Sequence, residues 1–179
     1  MNLYRDLEPW SDESKNEINV VIDLPTGSTN KYEYDEDGGY FKLDRVVHHQ
    51  MFYPFDYGFM PKTHYEDGDA IDVCLLTTYP TFPGCVVKAR VIGAIDTADE
   101  KGGDLKVIAV PVSKVDPRFN EIKSYTDLPA HTQEELLLHF KEIKKLEKAK
   151  YEKVEIRGFK DAEFALEEIK RAITNYKPR

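Results

Sequence analysis

The chain has 179 residues, 41% hydrophobic and 32% charged, with a formal net charge of -8. That length suits a single domain over 1–179 with a sizeable core. No apolar run approaches the roughly 20 residues that cross a bilayer, and the acidic balance argues against a general nucleic-acid binder, which needs a basic footprint.

The first stretch, MNLYRDLEPWSDESKNE, has no apolar h-region, so no secretory signal is expected. INVVIDLP (18–25) predicts a strand stopped by Pro25. KYEYDEDGGYFKLD (31–44) predicts a hairpin whose Asp-Gly-Gly turn supplies positive φ. IDVCLL (71–76), CVVKARVIGAI (85–95) and LKVIAVP (105–111) predict further strands, separated by proline-rich TYPTFPG (78–84) and the glycine loop DEKGGD (99–104). Short strands between turn signals suggest a closed or nearly closed β-barrel. Cys74, inside one of these strands, reads as a buried reduced thiol, and a cytoplasmic location fits.

The last third changes period. Over 131–148, Leu136, Phe140 and Ile143 share one helical face with Leu137 beside them, which makes Ile143 a core residue on this reading. Over 161–176, Ala162, Ala165, Leu166, Ile169 and Ile173 repeat the pattern, with Asp161 as N-cap. Both helices are expected to pack on the barrel.

The chemistry concentrates in acidic turns. YEDGDAIDVCLL (65–76) holds Asp67, Asp69 and Asp72 just before an apolar run. At about 4 Å, a like-charge pair costs about 4 kcal/mol at the effective dielectric of a protein surface, and Asp72, inside the otherwise apolar segment 71–76, needs a partner because burying an isolated charge is costly. Asp99 and Asp104 bracket a second turn, where Gly102 and Gly103 allow a reversal that brings the two aspartates together. Such hard oxygen donors suit Mg²⁺, Mn²⁺ or Ca²⁺. An EF-hand fits poorly, because Ile71 and Asp72 stand where an acidic or amide residue and a glycine belong. The histidines, with His48 and His49 adjacent, lack zinc spacing and read as surface or satisfied residues.

DGDAIDV (67–73), together with VVIDLP, KYEYD, LDRVV, MFYPFDYGF, PGCVVKARVIG, DEKGGDLKVIAVP and HFKEIKKLEKAKYEKVE, resembles the family I soluble inorganic pyrophosphatases of compact prokaryotic type. The resemblance runs over nearly the whole chain. It implies an α+β, mainly β fold: an OB-like five-stranded barrel with flanking C-terminal helices. It implies hydrolysis of pyrophosphate to two phosphates, with Mg²⁺, by in-line attack of a metal-bridged water. By the same resemblance Asp67, Asp72, Asp99 and Asp104 are metal ligands and Asp69 is the general base. Lys31, Arg45, Lys106, Lys144, Tyr53 and Tyr57 match phosphate-contacting positions, with Lys31, Arg45 and Tyr57 also counted as catalytic. Asp23 and Glu33 match further pocket carboxylates. The implied partner is pyrophosphate, not nucleic acid or membrane, and the implied assembly is a homo-oligomer, a hexamer in compact members. Two positions depart from the pattern: Asp23 stands where the family usually has glutamate, and Ile143-Lys144 where it commonly carries Tyr-Lys before LE, so the tyrosine is either replaced by Ile143 or deleted. Rival readings are an OB-type nucleic-acid binder, a Ca²⁺-binding module, and a hydrolase of another phosphoanhydride.

Overall fold

A computed structural model, which describes residues 1–99 and 102–177, shows how the expected strands pair. Trp10–Asp12 (β1) lies antiparallel to Glu17–Leu24 (β2). Asn30–Asp35 (β3) and Tyr40–Val46 (β4) form the expected hairpin as a sheet of their own. In its turn Gly39 has φ 71° but Gly38 is not left-handed, so one glycine supplies the positive φ rather than two. Asp56–Phe59 (β5), Asp72–Leu75 (β6), Val86–Asp99 (β7), Gly102–Gly103 (β8) and Lys106–Pro111 (β9) follow.

The pairing runs β2, β5, β6, β9, β7, and β7 returns to β2, closing a five-stranded barrel. The β6–β9 pair is parallel and the other ring pairs are antiparallel. Closure leaves these strands no bare edge to template aggregation. β7 is 14 residues long and serves several partners in turn: β2 and β9 with its first part, β8 with its last.

The C-terminal third corrects the sequence reading. One helix was expected over 131–148. Instead Ala130–Glu142 (α1) ends early, and Lys148–Tyr151 (α2) is a single turn. The apolar period stops at Ile143, and Lys144, Lys145, Glu147 and Lys148 offer no buried face to extend it. Glu155–Lys160 (β10) then pairs with the far half of β7, and Ala162–Asn175 (α3) closes the chain. β10 escaped prediction because Gly158, at φ 95°, sits at a register shift that breaks its alternation. Asp161 caps α3 as expected, accepting from Phe164 N at 2.9 Å.

Period-two alternation sorts the core into two faces. Val73 and Leu75 of β6 and Val107 and Ala109 of β9 pack in one cluster with Ala165, Ile169 and Ala172 of α3. Cys74, Ile108 and Val110 turn the other way, toward Tyr53, Phe55, Leu136 and Phe140. Both helices thus pack against the barrel strands, and Cys74 is a free buried thiol as expected.

Candidate active site

Alternation puts Asp72 on the Cys74 face of β6 and Lys106 on the Ile108 face of β9, and the parallel register sets these two residues side by side. Lys106 Nζ lies 2.6 Å from Asp72 Oδ2 and 2.5 Å from Asp104 Oδ1. Tyr57, from β5, donates its hydroxyl to Asp72 Oδ2 at 2.5 Å. The partner that Asp72 needs is therefore a lysine ammonium and a phenol. Burial pulls the Lys106 pKa down, but Asp104 and Asp72 outweigh it and hold the group above its ordinary value. Burial, then Asp72 and Asp104, push the Tyr57 phenol well up.

The first acidic turn is closed by Gly68 N to Tyr65 O at 3.1 Å and Tyr65 N to Asp69 O at 2.9 Å. Gly68 is left-handed at φ 91°, and Asp67 folds back to accept from Asp69 N at 3.1 Å. Burial above all, and then Asp104, Asp72 and Asp69, raise the Asp67 pKa to about 6; its bond from Asp69 N opposes the rise. The tip of the second turn, 100–101, lies outside the described residues, while Asp99 and Asp104 on either side of it both line one cleft. β8 pairs Gly102 with Asp99 and Gly103 with Ala98, and Asp104 N donates to Thr97 O at 2.8 Å. The two turns abut: a Cβ on Gly103 would meet Glu66 Oε2 at 2.6 Å.

Both turns open on one cleft of about 420 Å³. Its walls carry Asp67, Asp69, Asp72, Asp99, Asp104, Glu33, Lys31, Arg45, Lys106, Lys144, Tyr53 and Tyr57. Lys31 pairs with Glu33, Arg45 with Asp44 and, through Nε at 3.2 Å, with Glu147, and Lys144 with Asp99 at 3.3 Å. Asp23 is the predicted site residue that the cleft does not include. It is buried, accepts from Tyr34 N at 3.0 Å, and lines an adjoining cavity that shares Lys31, Glu33, Tyr57, Asp69 and Asp72. Burial, then Asp72, raise its pKa well above the carboxylate range.

The donor set is all carboxylate, the chemistry of a hard divalent cation. Among the described residues no three acidic, imidazole or thiol groups already converge on one point. Lys106 holds Asp72 and Asp104 instead. The residue types fit a hard cation, and the cations facing them suit an anionic ligand.

Residues 20–177 match the family model for inorganic pyrophosphatase. The chain is 45% identical over 169 residues to the inorganic pyrophosphatase of Thermus thermophilus, covering 94% of this chain and 95% of that one. It is 47% identical over 161 residues to that of Saccharolobus solfataricus, covering 90% and 92%. The crystal structure of the Thermus thermophilus enzyme superposes with a TM-score of 0.90 at 43% identity, covering 99% of this chain and 100% of that one. The chain belongs to the inorganic pyrophosphatase family.

Within this pyrophosphatase the cleft holds groups that sequence reasoning missed. Asp44 and Lys150 line it, and Glu147, outside the lining, pairs with both Arg45 and Lys150. Glu147 stands 102 positions from Arg45, a separation that no local pattern reveals. His139 is not on the surface: it is 1% exposed, neither ring nitrogen has a close, well-aligned hydrogen-bond partner among the described residues, and it lines the cleft. Tyr53, Phe55 and Phe140 surround it at ring distances of 4.7, 5.1 and 5.1 Å. Burial, then His49, push its pKa down to about 3, so the ring is neutral at physiological pH. Ile143 corrects another expectation. It is half-buried on the cleft wall beside Lys144, outside the apolar clusters.

Proposed function

We propose that this cleft is the catalytic centre of an inorganic pyrophosphatase that uses Mg²⁺ and attacks one phosphorus in line. The chain is a metal-dependent hydrolase of inorganic pyrophosphate by its family. The observation that carries the site assignment is the convergence of both aspartate turns on one cleft with Lys31, Arg45, Lys106 and Lys144.

Asp67, Asp72, Asp99 and Asp104 would hold the metal. When bound, it lowers the pKa of water and neutralises phosphate charge. Asp69, exposed in its turn, takes the proton from the attacking water. Arg45 grips phosphate oxygens with a planar fork, while Lys31, Lys106 and Lys144 act as point charges. Tyr53 and Tyr57 offer phenolic hydroxyls, and Glu33 keeps Lys31 in place. Asp23, one layer removed, supports Tyr34 and carries no direct contact. Catalysis on this account is positioning and charge stabilisation.

The proposal extends to a homohexamer in the cytoplasm. Its support is the likeness to compact prokaryotic members. Among the described residues no helix is long and apolar enough to cross a membrane. The test is phosphate release from pyrophosphate, ATP and tripolyphosphate in Mg²⁺ and in Ca²⁺. Pyrophosphate should be strongly preferred, and Ca²⁺ should substitute poorly because its looser coordination misplaces the reactants. Equal turnover of ATP would make the protein a general phosphoanhydride hydrolase instead.

A further inference from the structure

α1 ends at the wall of the cleft, where Ile143 and Lys144 line it. The last carbonyls of a helix have no partner within it. Here Ile143 N reaches His139 O at 2.8 Å and Lys145 N reaches Glu142 O at 2.9 Å. A side chain from a distant loop completes the end: His49 Nε2 lies 3.0 Å from Glu142 O and 3.1 Å from Ile143 O.

The partners fix the tautomer. His49 Nδ1 faces Met51 N at 3.1 Å, a backbone N–H that only donates, so Nδ1 accepts. In the neutral ring Nε2 then carries the proton, and it faces two carbonyl oxygens that only accept. The ring straps the loop after β4 to the end of α1. The bond from Val47 N to Thr29 O at 2.7 Å anchors that loop, and the Arg45–Glu147 pair ties the same two segments a few residues away.

We infer that His49 is a positioning residue for the pyrophosphate site, whose Nε2–H holds the end of α1 so that Lys144 faces the cleft. The inference rests on the reading of that cleft as the pyrophosphate site. It matters most in this chain because Ile143, not a phenol, precedes Lys144. Lys144 is then the phosphate-facing group at this helix end, and its aim depends on where the end is held.

Three substitutions separate the contacts. His49→Gln keeps an N–H able to reach the carbonyls. His49→Asn keeps an acceptor for Met51 N but falls short of the helix, and His49→Ala keeps neither. KM for pyrophosphate should rise about tenfold in His49→Asn and His49→Ala, the order expected when one hydrogen bond to a charged group is misaligned. Their kcat values, and both constants of His49→Gln, should stay within about twofold of wild type. In a Lys144→Ala background, His49→Asn should raise KM no further. Unchanged KM in His49→Asn and His49→Ala, even with lowered melting temperatures, overturns the inference. So does a KM increase that persists in full without Lys144. A Lys144→Ala variant with wild-type KM would remove Lys144 from the substrate site, and the inference with it.

Discussion

Asp56 and Asp69 are the same side chain under opposite constraints. Asp56 is fully buried and accepts four bonds, from the backbone N–H and hydroxyl of both Thr26 and Thr81, which makes it a strut between loops. Asp69 is exposed at the cleft between two other aspartates. Composition does not separate them; the spacing in DGDAIDV does. Asp69→Asn should lower kcat by roughly 10²- to 10⁴-fold, while calorimetric metal binding persists; wild-type turnover in this variant would remove the general-base role. His139 was not legible at all, since a lone histidine among apolar residues carries no motif. It has a measurable consequence. The unfolded histidine titrates near 6.5 and the folded one near 3, so between these values the unfolded chain binds more protons. Stability on this account falls as pH drops through that window. His139→Phe, whatever its effect at neutral pH, should lose less melting temperature than wild type between about pH 7 and pH 5. Identical pH slopes would contradict the neutral, buried assignment.

At the scale of elements, the strands with strong alternation were legible, and so was the capped α3. The short β1 and β5, and β10 with its glycine, were not, because few residues define their period. The end of α1 was misread for a different reason. Its apolar period runs out at Ile143, and the side chain that meets the helix end there, His49, lies far away in sequence. β5 shows how one residue sets a strand's place. A Cβ on Gly58 would lie 2.0 Å from Val21 O and 2.8 Å from Ile22 Cα, both backbone atoms of the neighbouring β2. Neither can move without opening the barrel beside Tyr57. Gly58→Ala should therefore cost about 1–3 kcal/mol or more, in the range of overpacked cores, read as a lower denaturant midpoint. An unchanged midpoint would show that β2 and β5 can separate freely.

For the whole molecule, barrel closure was legible from short strands between turns, while the return of β7 onto β2 is a matter of three-dimensional register. A protein of net charge -8 that acts on an anion needs cations at the point of contact. The cleft meets that need with basic side chains and with a carboxylate set suited to metal. The surface also carries exposed apolar side chains, Tyr79 at 72% and Phe82 at 63% among them. If the hexamer proposal holds, sedimentation at micromolar concentration should give a species well above the 20.7 kDa of one chain. A monomer throughout would end that proposal and leave the chemistry untouched. The central claim, that the two aspartate turns form one metal-dependent hydrolytic centre, is tested most directly by initial rates of phosphate release against Mg²⁺ concentration, for wild type and Asp104→Asn. Wild type should be silent in EDTA, and the variant should need more than about tenfold more Mg²⁺ for half-activation. Full wild-type turnover without metal, or an Asp104→Asn variant with the wild-type Mg²⁺ requirement, would contradict it.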